Sequence, residues 1–117
     1  YDLLIPMPLH PDRLRERGFN QATEIARGVA KTTGQLLNTD ALTRCRATSP
    51  QAELPMKERT RNVRGAFECS VNLRGKRVLL IDDVMTTGAT LREAARTLKL
   101  HGAAYIAIAT FARAYKH

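Results

Sequence analysis

The sequence predicts an α/β fold in three layers, a parallel sheet with helices on both faces. Three stretches carry that expectation. "KRVLLIDD" is a continuous apolar run ending in two acids, the pattern of a strand buried on both faces of a parallel sheet. Residues 90–100 follow, with Leu91, Ala94, Ala95 and Leu98 at helical spacing and Gly102 as the stop. "AAYIAIATFA" then supplies another apolar strand, and strand, helix, strand in this rhythm is an α/β signature.

The other elements follow in chain order. "DLLIPMPL" is a short apolar strand that must end at Pro6 or Pro8, because proline cannot donate to a ladder. "HPDRLRERG" reads as a basic loop. Residues 20–33 read as a helix on Ala22, Ile25, Ala26, Val29 and Ala30, with Phe19 joining that face, Asn20 as N-cap and Gly34 as C-cap. "LNTDALTRCR" contains a strand. "ATSPQAELPMKERTRNVRG" has two prolines and no sustained apolar period, so it reads as a long connection with one helical turn over residues 57–61. A compact domain seldom keeps such a stretch unless it is a lid or a binding loop. "AFECSV" is a strand, followed by a turn over residues 72–75.

Composition bounds the function. Residues 1–117 make one domain, and a chain of this length buries roughly two-thirds of its unfolded surface. At 44% hydrophobic and 26% charged residues it is globular rather than disordered. No apolar run approaches the roughly 20 residues of a membrane helix, and no signal peptide is visible, so the expected location is cytoplasmic. The chain opens at Tyr1 without a methionine and reads as a piece of a longer protein. Cys45 and Cys69 read as ordinary thiols of a reducing compartment. The net charge of +8 suits an anionic partner: nucleic acid, a membrane surface or a polyphosphate metabolite. Arg13, Arg15 and Arg17 alternate, and Arg44, Arg46, Lys57, Arg59, Arg61 and Arg64 cluster in the middle of the chain.

The stretch "LLIDDVMTTGAT" concentrates the chemistry. Ligands of open α/β sheets bind beyond the carboxyl ends of the strands, where Asp82 and Asp83 are delivered. The helix that follows opens with unpaired backbone N–H groups and a partial positive charge. Gly88 allows close backbone approach, and Thr86, Thr87 and Thr90 add hydroxyls, so the loop is suited to a phosphate. The upstream carboxylates can accept from sugar hydroxyls or help hold Mg²⁺ through ligand oxygens. A phosphate beside a diol describes a ribose 5-phosphate. The chain has neither G-x-x-x-x-G-K-[ST] nor G-x-G-x-x-G, which counts against P-loop and dinucleotide folds. A response-regulator receiver would place its acid pair after an early strand, whereas only one strand follows Asp83.

"VLLIDDVMTTGAT" resembles the phosphoribosyl pyrophosphate (PRPP) motif of type I phosphoribosyltransferases. Together with "PMPLHPDRLRERGFNQATEIA" and "SPQAELPMKERTRNVRGAF", in that order, it is similar to the ComF/GntX family over nearly the whole chain. The fold this implies is the Rossmann-like type I phosphoribosyltransferase fold. The family's N-terminal four-cysteine zinc module has no counterpart in these residues.

By resemblance, Asp82 and Asp83 are the catalytic acids, holding the ribose 2- and 3-hydroxyls and Mg²⁺ through ligand oxygens. Thr86, Thr87, Gly88, Ala89 and Thr90 cradle the 5-phosphate. Arg17, Gly18, Phe19, Asn20 and Gln21 form the core of a pyrophosphate loop over residues 10–20. In an extended loop alternate residues point the same way, so Arg13, Arg15 and Arg17 are expected to converge on pyrophosphate oxygens. Gln51, Lys57, Arg59, Asn62 and Arg64 are the lid candidates. His10 lies beside the pyrophosphate loop and reads first as a cap or surface residue, and His101 suits the negative end of a helix.

Relatives that salvage 6-oxopurines carry an acid where this chain has Thr86, so hypoxanthine or guanine salvage is not expected. The chain is also short of a hood to recognise a nucleobase. The resemblance implies a Mg²⁺-dependent transfer of phosphoribosyl from PRPP to an unidentified nitrogen acceptor, with a link to competence and DNA uptake. Two other classes stand beside it: a non-catalytic PRPP- or nucleotide-binding regulator, and a basic nucleic-acid-associated competence protein. The partners are then PRPP or a related nucleotide, nucleic acid or competence-machinery proteins, and a second copy in a homodimer.

Overall fold

In the computed structural model the acidic strand is central. It is β4 (Arg77–Met85), flanked by β1 (Leu3–Pro6) and β5 (Tyr105–Arg113) in a parallel sheet ordered β1-β4-β5. The structure describes residues 1–45, 64–85 and 88–113. Leu3 to Pro6 pair with Val78 to Ile81, and Ile81 lies opposite Ala109 on the other side. Alternation sends successive side chains to opposite faces, and both faces are covered. Leu79 and Ile81 join Leu4 against helix α2 (Gln21–Thr33) through Ala26, Ile25 and Val29. Val78 and Leu80 join Ile5 against Leu91, Ala94 and Leu98 of helix α3 (Ala89–Leu100). This is the expected three-layer α/β arrangement, and double coverage is why "VLLI" carries no polar residue.

The acidic strand was expected to stop at its acids. It runs to Met85, because β5 is equally long and pairs Asp82 with Thr110 and Met85 with Arg113. The short strands β2 (Leu42–Arg44) and β3 (Phe67–Cys69) form a separate antiparallel pair, with Arg44 opposite Phe67. That pair packs Leu42 and Phe67 onto the α3 side of the core. Cys69 faces Leu42 in this register, Cys45 lies beyond the other end, and both thiols are free.

The basic loop expected over residues 10–18 is largely a helix, α1 (Pro11–Arg17). Pro11 sits in its first turn, where a missing N–H costs nothing. His10 is the N-cap, its Nδ1 accepting from the Asp12 amide at 3.2 Å. Asp12 lies in the first turn, Arg15 and Arg17 in the last, the order the helix dipole favours. Gly18 closes it at φ 79°, its amide donating to the Leu14 carbonyl at 2.8 Å. The expected convergence of three arginines fails for this reason. Helical spacing brings Arg13 and Arg17 to one face and turns Arg15 away, where it pairs with Asp12.

Helix α2 begins and ends where expected, with Asn20 and Gly34 as its caps. Asn20 does more than cap. Its Oδ1 accepts from the amides of Ala22 (3.0 Å) and Thr23 (3.4 Å), while Nδ2 donates to the Met7 carbonyl at 3.0 Å. One side chain thus joins the exit of β1 to the start of α2. Asn20→Ala removes both functions and should cost about 1–2 kcal/mol, read as a lower urea midpoint. An unchanged midpoint would contradict the bridge. Phe19 does not join the apolar face of α2. It is 47% exposed, because the turn at Gly18 directs it outward, with the Arg17 guanidinium carbon 5.8 Å from its ring centroid.

The far end of α3 places His101 at the C-cap, its Nδ1 2.9 Å from the Thr97 carbonyl oxygen. Gly102 follows at φ 102°, and a Cβ there would lie 2.9 Å from the Arg74 Cα. Glycine is therefore required twice over, for its backbone angle and for the space.

Candidate functional site

Asp82 and Asp83 lie at the carboxyl edge of the central strand, one step past the last paired residue of β1. Both are half-buried, and the Asp83 amide donates to Asp82 Oδ1 at 2.9 Å. Burial and then the neighbouring Asp83 carboxyl push the proton affinity of Asp82 up, to a pKa of about 7. The Asp83 amide and the charge of Arg44 pull the other way without cancelling the shift. Such a group is a poor structural anion and a ready acceptor for hydroxyl donors or a cation.

The N-cap of helix α3 lies five residues after Asp83. It is Gly88 at φ 84°, with no side chain of its own to cap the helix, and the Arg92 amide closes the first turn on the Gly88 carbonyl at 2.9 Å. The first amides of α3 therefore have no partner within the helix. Ala89 is buried, and Thr90 sits in the first turn beside these amides. A positive-φ glycine before a helix with no capping side chain lets an anion approach the backbone. Thr86 and Thr87 fall outside the described residues.

The description "Phosphoribosyl transferase domain" matches residues 16–117. The chain belongs to the phosphoribosyl transferase domain family. The ComF resemblance is borne out by relatives of this domain. It is 33% identical over 116 residues to Competence protein F of Haemophilus influenzae, covering 97% of this chain and 51% of that protein. It is 34% identical over 107 residues to DNA utilization protein YhgH of Escherichia coli K12 (92% of this chain, 47% of that one). Competence protein ComFC of Bacillus subtilis is 34% identical over 103 residues, with 87% and 40% covered. The chain spans about half the length of these relatives. Among solved structures, a purine phosphoribosyltransferase from Pyrococcus horikoshii has the same fold, at TM-score 0.51 and 21% identity, covering 96% of this chain and 60% of that one.

In this phosphoribosyl transferase domain the second group of expected residues forms the corner between α1 and α2. Arg17 ends α1, Gly18 is its cap, Phe19 is exposed, Asn20 caps α2 and Gln21 opens it with an exposed side chain. Gly18 and Asn20 thus hold the corner in shape, whereas Arg17 and Gln21 present free surface. A cleft of about 420 Å³ runs from this corner to β2, walled by Pro8, Leu14 and Phe19 and ending at Arg44. Of the lid candidates, Gln51, Lys57, Arg59 and Asn62 lie outside the described residues. Arg64 is described and exposed, next to Gly65.

Two residues escaped the sequence reading. Arg44 was seen only as one charge in a basic cluster. Its guanidinium carbon lies 5.5 Å from the centroid of the buried Phe67 ring, it lines the cleft, and its charge weakly favours the ionised form of Asp82. No local signal marks it, because its ring partner is 23 positions away and meets it only through strand pairing. Glu93 was overlooked although "REAAR" places an acid three residues before an arginine, a spacing that pairs on a helix. It is buried, and Arg96 binds it through both Nε and Nη2, at 2.7 to 3.0 Å.

Proposed function

We propose that this domain binds PRPP with Mg²⁺ and transfers its phosphoribosyl group to a nitrogen acceptor. The observation that carries the reading is the pairing of two half-buried carboxylates on the central strand with the open, glycine-capped start of α3 five residues later. Membership of the family supports it. Thr86 to Thr90 would hold the 5-phosphate, Asp82 and Asp83 the ribose diol, and Arg17 with Gln21 the pyrophosphate. The C1–O bond to pyrophosphate breaks, a C1–N bond forms, pyrophosphate leaves, and the acceptor's proton passes to solvent.

Among the described residues no three His, Cys, Asp or Glu side chains converge. The adjacent oxygen donors of Asp82 and Asp83 nonetheless fit Mg²⁺ in the way that ion prefers, with one or two carboxylates and the rest from phosphate, hydroxyl and water. Mg²⁺ would neutralise the departing pyrophosphate. The chain itself orients the ribose, supplies cations at the α1–α2 corner and offers the cleft beside Arg44 to the acceptor. Among the described residues no helix is long and apolar enough to cross a membrane, and a cytoplasmic place is part of the proposal. The names of the relatives, Competence protein F and DNA utilization protein, support a role linked to DNA uptake or use.

Calorimetric titration of PRPP with and without Mg²⁺ tests the reading. Binding should require Mg²⁺ and be lost in Asp83→Asn without loss of fold. Arg17→Ala should weaken PRPP by about tenfold and leave ribose 5-phosphate within about threefold. Equal loss of both ligands would contradict the pyrophosphate assignment. The net charge of +8 favours a second reading, a nucleic-acid-associated protein. Phosphate-driven DNA binding falls steeply with salt, so salt-sensitive DNA binding with no PRPP binding would replace the first reading with the second.

A further inference from the structure

Glu93 is the buried charge that the proposed reaction does not use. It is 8% exposed and sits one turn into α3, just past the open amides. Its neighbours Ala94 and Leu98 belong to the apolar core, so an apolar side chain would suit the packing there. A buried carboxylate is costly unless paired, and it seldom adds stability over a well-packed apolar residue. Here the carboxylate is shared between two elements. Arg96, on its own helix, holds it in a fork. The amide of Gly65 donates to its Oε2 at 3.4 Å. The Arg96 hydrogen bonds, the Gly65 amide and the charge of Arg64 keep the carboxyl ionised, below the usual carboxylate range.

Gly65 is itself tied to the end of β2. The Cys45 amide donates to the Ala66 carbonyl at 2.8 Å, and the Cys45 thiol lies 3.4 Å from the Gly65 carbonyl oxygen. Cys45 follows Arg44, whose charge reaches Asp82. A single carboxylate therefore stands between the helix that follows the phosphate loop and residues 64–66, which meet the end of β2 at Cys45. Arg96 also neutralises an anion that would otherwise stand behind a phosphate-binding helix start.

We propose that Glu93 is a positioning residue for the PRPP site: by holding the Gly65 amide and the Arg96 guanidinium together, it fixes Arg64, next to Gly65, and the end of β2 against the helix that follows the phosphate loop. The role rests on the PRPP reading above. Ribose 5-phosphate needs only the acids and the phosphate loop, whereas PRPP also needs cations for its pyrophosphate, Arg64 of the lid candidates beside Arg17 of the α1–α2 corner. The signature of positioning is therefore a change in the ratio of the two affinities rather than a uniform loss.

The test combines Glu93→Ala and Glu93→Gln, with calorimetry of both ligands in Mg²⁺ and amide exchange of Gly65 by NMR. Glu93→Ala should weaken PRPP by about tenfold, as expected when a pyrophosphate cation loses its place, and ribose 5-phosphate by less than about threefold. Its Gly65 amide should exchange faster, while amides in β4 are unchanged. Glu93→Gln keeps an acceptor for Gly65 and should recover part of the PRPP affinity, and it carries the test if the alanine variant does not fold. Equal loss of both ligands, or an unchanged Gly65 amide, would overturn the proposal. Wild-type protein that binds neither ligand would overturn the PRPP reading and this role together. Faster Gly65 exchange would then mark the tether as a feature of the fold alone.

Discussion

Asp82→Asn is expected to weaken Mg²⁺-dependent PRPP binding by roughly 10- to 100-fold while raising the stability of the ligand-free protein. The two effects have one cause. Burial and the neighbouring Asp83 raise the Asp82 pKa from 3.8 to about 7, so the ionised form is the strained one. Asparagine keeps an Oδ1 that accepts from the Asp83 amide and carries no charge. The gain at pH 8 should be about 1–2 kcal/mol, less than the whole shift implies, because the carboxyl is only partly buried and water screens it. The binding loss follows from replacing a charged acceptor of hydroxyl hydrogen bonds with a neutral one.

The pH dependence has a definite sign. A carboxyl that holds its proton more tightly when folded contributes stability that is fully present below about pH 4 and lost as the pH rises through about 7. Ligand binding runs the opposite way, because the ionised form is the acceptor. Wild-type affinity for Mg²⁺-PRPP should rise about tenfold between pH 6 and pH 8 and level off above it. In Asp82→Asn the stability slope and the affinity slope should both flatten. Thermal melts and calorimetry at three pH values read all of this, and a wild-type affinity flat from pH 6 to 8 would sink the assignment.

The second large effect lies beneath the site. Leu80 is 0% exposed, on the central strand between Ile5 and Ile108, and belongs to the cluster that packs against Leu91 and Leu98. Leu80→Ala removes buried methyl groups where neighbours on three sides cannot collapse, and should cost about 3–4 kcal/mol. For a domain of this size the melting temperature should fall by roughly 10–25 °C. Leu100, 70% exposed at the end of α3, is the control, and its change to alanine should stay within about 0.5 kcal/mol. Urea midpoints of the two variants make the comparison. Because Leu80 stands two residues before Asp82, PRPP affinity should fall with it at temperatures where the fold is only partly populated.

Much of the fold was legible because its signals are local. Asn20 and Gly34 mark the ends of α2 by their own backbone preferences. "VLLIDD" states both the double burial of β4 and the point where it meets solvent. The residues 11–17 were misread for an equally local reason. Their proline and charges suggest a loop, but Pro11 in a first turn, Asp12 early, Arg15 and Arg17 late and Gly18 after them make a capped helix. Phe19 was placed on the wrong surface because helical spacing was carried one residue too far, across the N-cap.

The amino-acid order alone determined the acid pair on an apolar strand, the helix that covers residues 90–100 and the α/β rhythm around them. These depend on spacing and on single-residue preferences. Only the tertiary structure decided that Arg44 lies over the Phe67 ring, that Asn20 reaches Met7, and that Glu93 holds Gly65. Each is a contact between residues distant in the chain, made by strand pairing or by packing across the sheet. No periodicity or cap encodes which distant partner a side chain will meet. The shift at Asp82 is of the same kind, since it arises from burial by elements that close over the strand only when the sheet is complete.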